Sequence, residues 1–172
     1  ILLWKKDFEL NGKKYILPNL NLKIPGNHIL YDAYLAYIVW IILWLDTNEI
    51  VTWIEKYNWI WRRSEVVWET LNGNILLSDY WHHPTEISLN LKALKQKYND
   101  KKIVTVFQPH QYNRTLELLE DFKNCFWDTD ILIIPDIYES RDTQEDKDKI
   151  NWEKLINYIN HNNKIFWNWL NN

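Results

Sequence analysis

The segment 79–83 contains the residue types most suited to binding a nucleotide or a metal ion, namely Asp79, His82 and His83. One carboxylate and two imidazoles form a plausible ligand set for a transition metal. Two adjacent histidines on a turn rarely face one point, however, and no cysteine or third histidine stands nearby. We favour a nucleotide-binding edge, in which Asp79 accepts hydrogen bonds from ribose hydroxyls and a histidine ring lies against a base. A purely structural turn, whose side chains cap a helix, stays open as the alternative.

Two cationic pairs could bind anions. Arg62 and Arg63 are adjacent, and a guanidinium forms bidentate hydrogen bonds with phosphate, although an arginine pair can equally be a solvated linker. His110 and Arg114 lie four residues apart. If a helix opens directly after Pro109, both side chains lie on one helical face beside its N-terminus. Such a pair would suit an anionic substrate.

Three common catalytic motifs do not occur in the 172 residues: a Gly-x-x-x-x-Gly-Lys phosphate-binding loop, a Gly-x-Gly-x-x-Gly dinucleotide fingerprint and a Gly-x-Ser-x-Gly nucleophile elbow. We therefore assign no catalytic residue. The missing dinucleotide fingerprint also argues against a small dehydrogenase.

The hydrophobic pattern predicts the elements that must position these clusters. Strands are predicted at 66–70, 74–78, 103–107 and 130–135, and helices at 84–98, 115–126 and 152–160. This alternation predicts an α/β fold with a mostly parallel sheet from residue 65 onwards. Ligands bind at the carboxyl ends of the strands in such sheets. Since both polar clusters follow predicted strands, Asp79 and His110 should project from the same edge.

The N-terminal third has a different pattern. It predicts a β-hairpin within 8–22 that turns at Asn11-Gly12, then helices at 28–45 and 48–57. We place a domain boundary after Arg63, which gives domains 1–63 and 64–172. The charged stretch 139–149 is predicted to be a solvated loop.

Composition excludes several classes of protein. The net charge of −3 does not suit a nucleic-acid groove, and a single cysteine indicates a reducing compartment. The first lysines follow the apolar residues, which is the wrong order for a signal peptide. The apolar stretch 28–45 is short for a membrane span and contains Asp32, so we predict no membrane insertion. Because the chain begins with Ile1 and contains no methionine, we expect a fragment.

Tryptophan and glycine are present in abnormal numbers, with 12 Trp and 3 Gly. Average usage would give roughly 12 glycines in a chain of this length. We interpret most tryptophans as positions where a codon that means glycine in the source organism was translated as tryptophan. This predicts that several of the following are exposed or have positive φ: Trp4, Trp44, Trp59, Trp81, Trp127, Trp167 and Trp169.

Four stretches, in this order along the chain, resemble the Mur ligases. They are Pro-Gly-Asn-His at 25–28, Arg-Arg at 62–63, Asp-Tyr-Trp-His-His-Pro-Thr-Glu at 79–86, and Phe-Gln-Pro-His-Gln-Tyr-Asn-Arg-Thr at 107–115. The family has Gly or Ala at the position of Trp81. The last two stretches are most similar to those of the member that adds L-alanine to UDP-N-acetylmuramate.

The resemblance implies the end of a central ATPase domain followed by a Rossmann-like C-terminal domain. It implies ATP and Mg²⁺ as cofactors, UDP-N-acetylmuramate and L-alanine as substrates, a cytoplasmic location and a role in peptidoglycan precursor synthesis. The P-loop and the magnesium ligands would lie upstream, so this chain would be inactive alone. The positions that the resemblance assigns to ATP are His28, Asp32, Arg63, Asp79 and His82, and those assigned to the substrate are His110 and Arg114.

The sequence departs from the family pattern at several positions. Ile29 and Asp32 stand where the family usually has Asn, and an ionised carboxylate cannot donate a hydrogen bond as an amide does. Gln111 stands where Arg is common, which removes one cation. Residues 138–141 replace the usual Tyr-x-Ala-Gly-Glu, so this loop has no assigned role. A noncatalytic Rossmann-like binding or regulatory module is the alternative function, and a P-loop in the upstream coding sequence would exclude it.

Overall fold

The computed structural model describes residues 7–57 and 62–167, and it divides into two compact units at Tyr80 and Trp81. The first unit contains β1 (Asp7–Leu10), β2 (Lys13–Ile16), α1 (Asn27–Ile42), α2 (Thr47–Lys56), β3 (Glu65–Glu69) and β4 (Ile75–Ser78). The second contains α3 (Pro84–Lys97), β5 (Val104–Val106), α4 (Tyr112–Glu117), α5 (Leu119–Phe122), β6 (Ile131–Pro135), α6 (Gln144–Lys149), α7 (Trp152–Tyr158) and β7 (Lys164–Trp167). The predicted domain boundary after Arg63 stays a prediction.

The first unit begins with the predicted hairpin. Strands β1 and β2 pair antiparallel around Asn11 and Gly12, whose φ angles of 50° and 72° are those of a tight hairpin turn. Helices α1 and α2 follow, and the side chain of Asp46 caps α2 by accepting hydrogen bonds from the N–H groups of Asn48 and Glu49. The buried residues that pack together as the core of this unit are Leu17, Tyr37, Ile41, Ile50 and Ile54.

Strands β3 and β4 form a separate two-stranded antiparallel sheet, with a register shift between Val66 and Trp68. The sequence placed both strands correctly but implied that they belong to the parallel sheet. That implication is wrong for the described strands, because β4 pairs only with β3. The hydrophobic period identifies a strand, whereas its pairing partner depends on the path of the whole chain.

The second unit is built on a three-stranded parallel sheet in the order β5-β6-β7. Leu132 and Ile134 of β6 are fully buried, and helices α3, α5 and α7 contribute side chains to the same core. This arrangement of parallel strands and covering helices confirms the predicted α/β fold class.

Two local predictions in this unit are wrong, and one strand was not predicted. The helix predicted at 115–126 is two short helices, because the backbone at Leu118 leaves the helical conformation with φ −98° and ψ 12°. The stretch 139–149 is not only loop, since it includes α6, which buries no residue and so leaves no hydrophobic period to detect. Its Thr143-x-x-Asp146 capping box was the available signal. Strand β7 was not predicted.

The tryptophans partly follow the prediction. Trp44 has φ 63° and is 87% exposed, and Trp127 is 73% exposed. Trp81 and Trp167 are half-buried instead. The remaining three of the named positions, Trp4, Trp59 and Trp169, lie outside the described residues.

Helix α1 lies within the apolar stretch that raised the question of a membrane span. Among the residues that the structure describes, neither this helix nor any other has the length and apolar character needed to cross a bilayer.

Candidate functional site

The segment 62–64 is joined to the end of β4 by two neighbouring contacts. The guanidinium of Arg62 lies 4.9 Å from the ring centroid of Tyr80. The carboxylate of Asp79 accepts hydrogen bonds from the backbone N–H and, at 3.2 Å, from the hydroxyl of Ser64. Arg62 and Ser64 both have positive φ, 57° and 44°, so the backbone bends on each side of Arg63. The position of Arg63 is thereby fixed between two anchored residues.

Asp79 is half-buried and retains capacity for one more hydrogen bond. Besides the two bonds from Ser64, it accepts one from the N–H of Tyr80 at 2.6 Å. A carboxylate has about four acceptor positions, so three bonds leave room for one further donor, such as a hydroxyl group. Burial raises the pKa of Asp79 above its usual value, against the opposing effect of these hydrogen bonds and the charge of Arg63.

His28 and Asp32 lie on the first turns of α1, four residues apart and therefore on one helical face. The helix follows Gly26, whose φ of 122° is one that other residues rarely adopt. Among the described residues, no side chain caps its N-terminus. His28 is half-buried and Asp32 is exposed.

The two adjacent histidines have different roles at the start of α3. The Nδ1 of His83 accepts a hydrogen bond from the N–H of Thr85 at 3.2 Å, and Glu86 completes a capping box. The Nδ1 of His82 lies 3.5 Å from Oε2 of Glu86. His83 therefore caps a helix, as the alternative of a purely structural turn predicted, while His82 lies beside the carboxylate of Glu86. Among the described residues, no three His, Cys, Asp or Glu side chains lie together as a metal site.

Trp81 precedes these histidines and packs against the core of the second unit. Its Nε1 is buried, and no described group accepts a hydrogen bond from it. A buried indole N–H normally has an acceptor. The position is thus poorly suited to a tryptophan.

His110 is exposed and follows β5. Its backbone forms an isolated parallel β-bridge with Tyr138, which lies in the loop after β6. The N–H of Tyr138 donates to the carbonyl of Pro109 at 2.8 Å, and the N–H of Gln111 donates to the carbonyl of Tyr138 at 2.9 Å. The rings of His110 and Tyr138 stack with centroids 4.8 Å apart. Tyr138 was not predicted as a neighbour of the candidate site, because a contact across 28 residues leaves no local pattern in the sequence.

The expectation that His110 and Arg114 share one helical face is wrong. Helix α4 begins at Tyr112, and Gln111 before it has φ 69°, so His110 lies outside the helix. Arg114 is half-buried within α4. The start of this helix is also not a vacant anion site, since Asp142 accepts hydrogen bonds from the N–H groups of Tyr112 and Asn113 at 2.8 and 3.3 Å.

The candidate residues thus form separate groups within the two units. Arg63 and Asp79 lie together in the first unit, as do His28 and Asp32 on α1, whereas His82, His110 and Arg114 belong to the second. Their assignment to ATP and to the substrate, and the shared edge of Asp79 and His110, stay predictions.

Comparisons with known proteins give a consistent result. The chain is 38% identical over 152 residues to the UDP-N-acetylmuramate--L-alanine ligase of Alkaliphilus metalliredigens, covering 88% of this chain and 32% of the relative. It is 40% identical over 131 residues to the enzyme of the same name from Hydrogenobaculum sp., covering 76% of this chain and 29% of the relative. No family model matches the sequence.

Solved structures show the same fold. The crystal structure of the UDP-N-acetylmuramate-alanine ligase from Thermotoga maritima matches with a TM-score of 0.69 and 24% identity, over 94% of this chain and 34% of that chain. The chain therefore spans about a third of the length of the relatives it matches.

Proposed function

We propose, from the premise that this chain belongs to the Mur ligase family, that it forms the C-terminal part of an enzyme that joins L-alanine to UDP-N-acetylmuramate at the expense of ATP. The observation that carries the proposal is the 38–40% identity, over three quarters or more of the chain, to ligases of that name. A cytoplasmic role in peptidoglycan precursor synthesis is part of the same proposal.

The proposed nucleotide-binding residues are His28, Asp32, Arg63, Asp79 and His82. Asp79 fits this role because one acceptor position of its half-buried carboxylate remains for a ribose hydroxyl. Arg63 fits because its backbone is anchored on both sides, which lowers the entropy lost when a guanidinium binds phosphate. The described residues provide no cluster for Mg²⁺, so we place the magnesium ligands elsewhere in the protein.

ATP, when bound, supplies the phosphoryl group that activates the lactyl carboxylate of UDP-N-acetylmuramate for attack by the amine of L-alanine. This chain's part is to bind and orient, and positioning together with charge neutralisation provides most of the catalysis in phosphoryl transfer. His110 and Arg114 are the proposed contacts to the anionic substrate. Because Asp142 occupies the start of α4, the attraction must come from these side chains and not from the helix N-terminus.

The test compares Asp79→Ala and Arg114→Ala in the full-length ligase that contains this chain. Loss of one hydrogen bond to a charged group should raise a KM about tenfold. We expect Asp79→Ala to raise the KM for ATP and Arg114→Ala to raise the KM for UDP-N-acetylmuramate, both measured by steady-state phosphate release.

The controls separate binding from folding. Asp79→Asn keeps one acceptor oxygen and should have a smaller effect than Asp79→Ala, while Lys92→Ala, an exposed change on α3, should leave both KM values unchanged. If Asp79→Ala raised the KM for UDP-N-acetylmuramate and Arg114→Ala raised the KM for ATP, the assignment of Asp79 to ATP and of Arg114 to the substrate would be wrong.

A further inference from the structure

We infer that Asp142 is a positioning residue, whose carboxylate holds the loop after β6 against the start of α4 and so fixes His110 and Arg114 for substrate. The inference rests on the proposed function. Sequence analysis left this loop without a role.

The carboxylate of Asp142 connects two chain segments 30 residues apart. Its Oδ1 accepts hydrogen bonds from the N–H of Tyr112 at 2.8 Å and of Asn113 at 3.3 Å. Its Oδ2 accepts from the N–H of Ser140 at 2.9 Å. A single carboxylate thus caps α4 and shapes its own loop, where Arg141 has φ 64°.

The capped helix start lies directly after His110. Gln111 has φ 69° and is held there by two hydrogen bonds to the loop, from its N–H to the carbonyl of Tyr138 at 2.9 Å and from its Nε2 to the carbonyl of Ser140 at 3.1 Å. A non-glycine residue adopts such a φ only where its surroundings impose it. The loop in turn places Tyr138 under the ring of His110.

Without Asp142, the N–H groups of Tyr112, Asn113 and Ser140 lose their acceptor, which weakens the attachment of the loop to the start of α4. Both proposed substrate contacts would then move, since His110 precedes the bend and Arg114 follows it. Four of the five proposed nucleotide contacts lie in the other unit, and the fifth, His82, precedes α3 and belongs neither to this loop nor to α4. The expected defect is therefore specific to one substrate.

The experiment measures kinetics and amide hydrogen exchange on the full-length ligase with Asp142→Ala, Asp142→Asn and the control Asp146→Ala. We expect Asp142→Ala to raise the KM for UDP-N-acetylmuramate about tenfold, which corresponds to the loss of one charged hydrogen bond between the protein and this substrate. The KM for ATP should stay within about twofold of the wild-type value. Exchange at Tyr112, Asn113 and Ser140 should accelerate. Asp142→Asn, which keeps one acceptor oxygen, should be intermediate. Asp146→Ala should change neither KM, because the hydrogen bonds that Asp146 accepts among the described residues come from Thr143, within the cap of α6.

Three outcomes would contradict the inference about Asp142 or the proposed function. Unchanged exchange in Asp142→Ala overturns the inference, and so does an equal rise in both KM values, which would indicate general damage. If the wild-type protein has no ligase activity, the proposed function is refuted. If Asp142→Ala still accelerates exchange at the three amides in that case, the connection between loop and helix is supported.

A second inference rests on different evidence. We propose that glycine belongs at position 44, and that the codon there means glycine in the source organism. Helix α1 ends with the N–H of Leu45 donating to the carbonyl of Trp40 at 3.2 Å and the N–H of Trp44 donating to the carbonyl of Ile41 at 3.1 Å. This pair of bonds is the Schellman motif, and Trp44 at φ 63° occupies its left-handed position, which is usually glycine.

The side chain of Trp44 contributes nothing that would offset this backbone cost. It is 87% exposed, so little of its apolar area is removed from water. A left-handed residue with a Cβ disfavours the folded state roughly tenfold relative to glycine, because the Cβ approaches the following carbonyl oxygen. Together with the counts of 12 Trp and 3 Gly, this identifies the position as one built for glycine.

The test compares Trp44→Gly with Trp44→Ala in the full chain and reads the codon in the gene. Glycine should raise the folding equilibrium constant about tenfold in urea unfolding, and alanine, which keeps the Cβ, should gain much less. The codon should be UGA. Equal stability of the glycine and alanine variants, or a UGG codon at position 44, overturns the inference.

Discussion

The 172-residue chain alone is expected to release no phosphate from ATP in the presence of UDP-N-acetylmuramate, L-alanine and Mg²⁺. Phosphoryl transfer requires groups that hold the β- and γ-phosphates and the metal ion, and this sequence contains no phosphate-binding loop pattern. The loss of a single stabilising arginine lowers such rates by about 10³–10⁵, so loss of the whole phosphate site should leave no measurable activity. A coupled assay for phosphate is the measurement.

The full-length ligase is the positive control for this result. If the chain plus a separately expressed upstream portion regains phosphate release, the chain supplies one side of a shared site. L-alanine-dependent phosphate release from the chain alone would contradict both the prediction and the proposed division of roles.

Phe126→Ala is expected to lower the free energy of unfolding of the second unit by about 3–5 kcal/mol, because it leaves a cavity in the core. Phe126 is 1% exposed. Its ring lies 5.2 Å from that of Phe107 and 6.5 Å from that of Phe122, so three aromatic rings pack together beneath the strand that leads to His110. Urea unfolding followed by circular dichroism measures the change.

The neighbouring residue provides a matched control. Trp127 has the larger side chain but is 73% exposed, and Trp127→Ala should change the free energy of unfolding by no more than about 0.5 kcal/mol. If the two substitutions had similar effects, the assignment of Phe126 to the core and of Trp127 to the surface would be wrong.

Features encoded by neighbouring residues were predictable. Asn11-Gly12 specified the first hairpin, because a tight turn depends on side chains within a few residues. The alternation of strands and helices likewise gave the α/β class, since each element carries its own hydrophobic period.

The candidate site was only partly predictable. The clusters at 79–83 and 107–115 were found from their residue types and from their resemblance to one family. The roles of individual side chains were not found. His83 proved to be a helix cap, and Asp142 proved to accept hydrogen bonds from Tyr112 and Ser140, although nothing in the sequence distinguished it.

The sequence by itself determined most of the segments that become helices and strands, where polar groups follow strands, and which family the chain resembles, because these depend on local pattern and residue identity. Tertiary structure alone decided that β4 pairs with β3 outside the parallel sheet, that α4 begins after His110, and that Asp142 caps it across 30 residues. Hydrogen bonds between distant segments form only where the folded chain brings donor and acceptor together. Backbone strain also depends on the folded structure, since Trp44 is left-handed because of the hydrogen bonds that end α1.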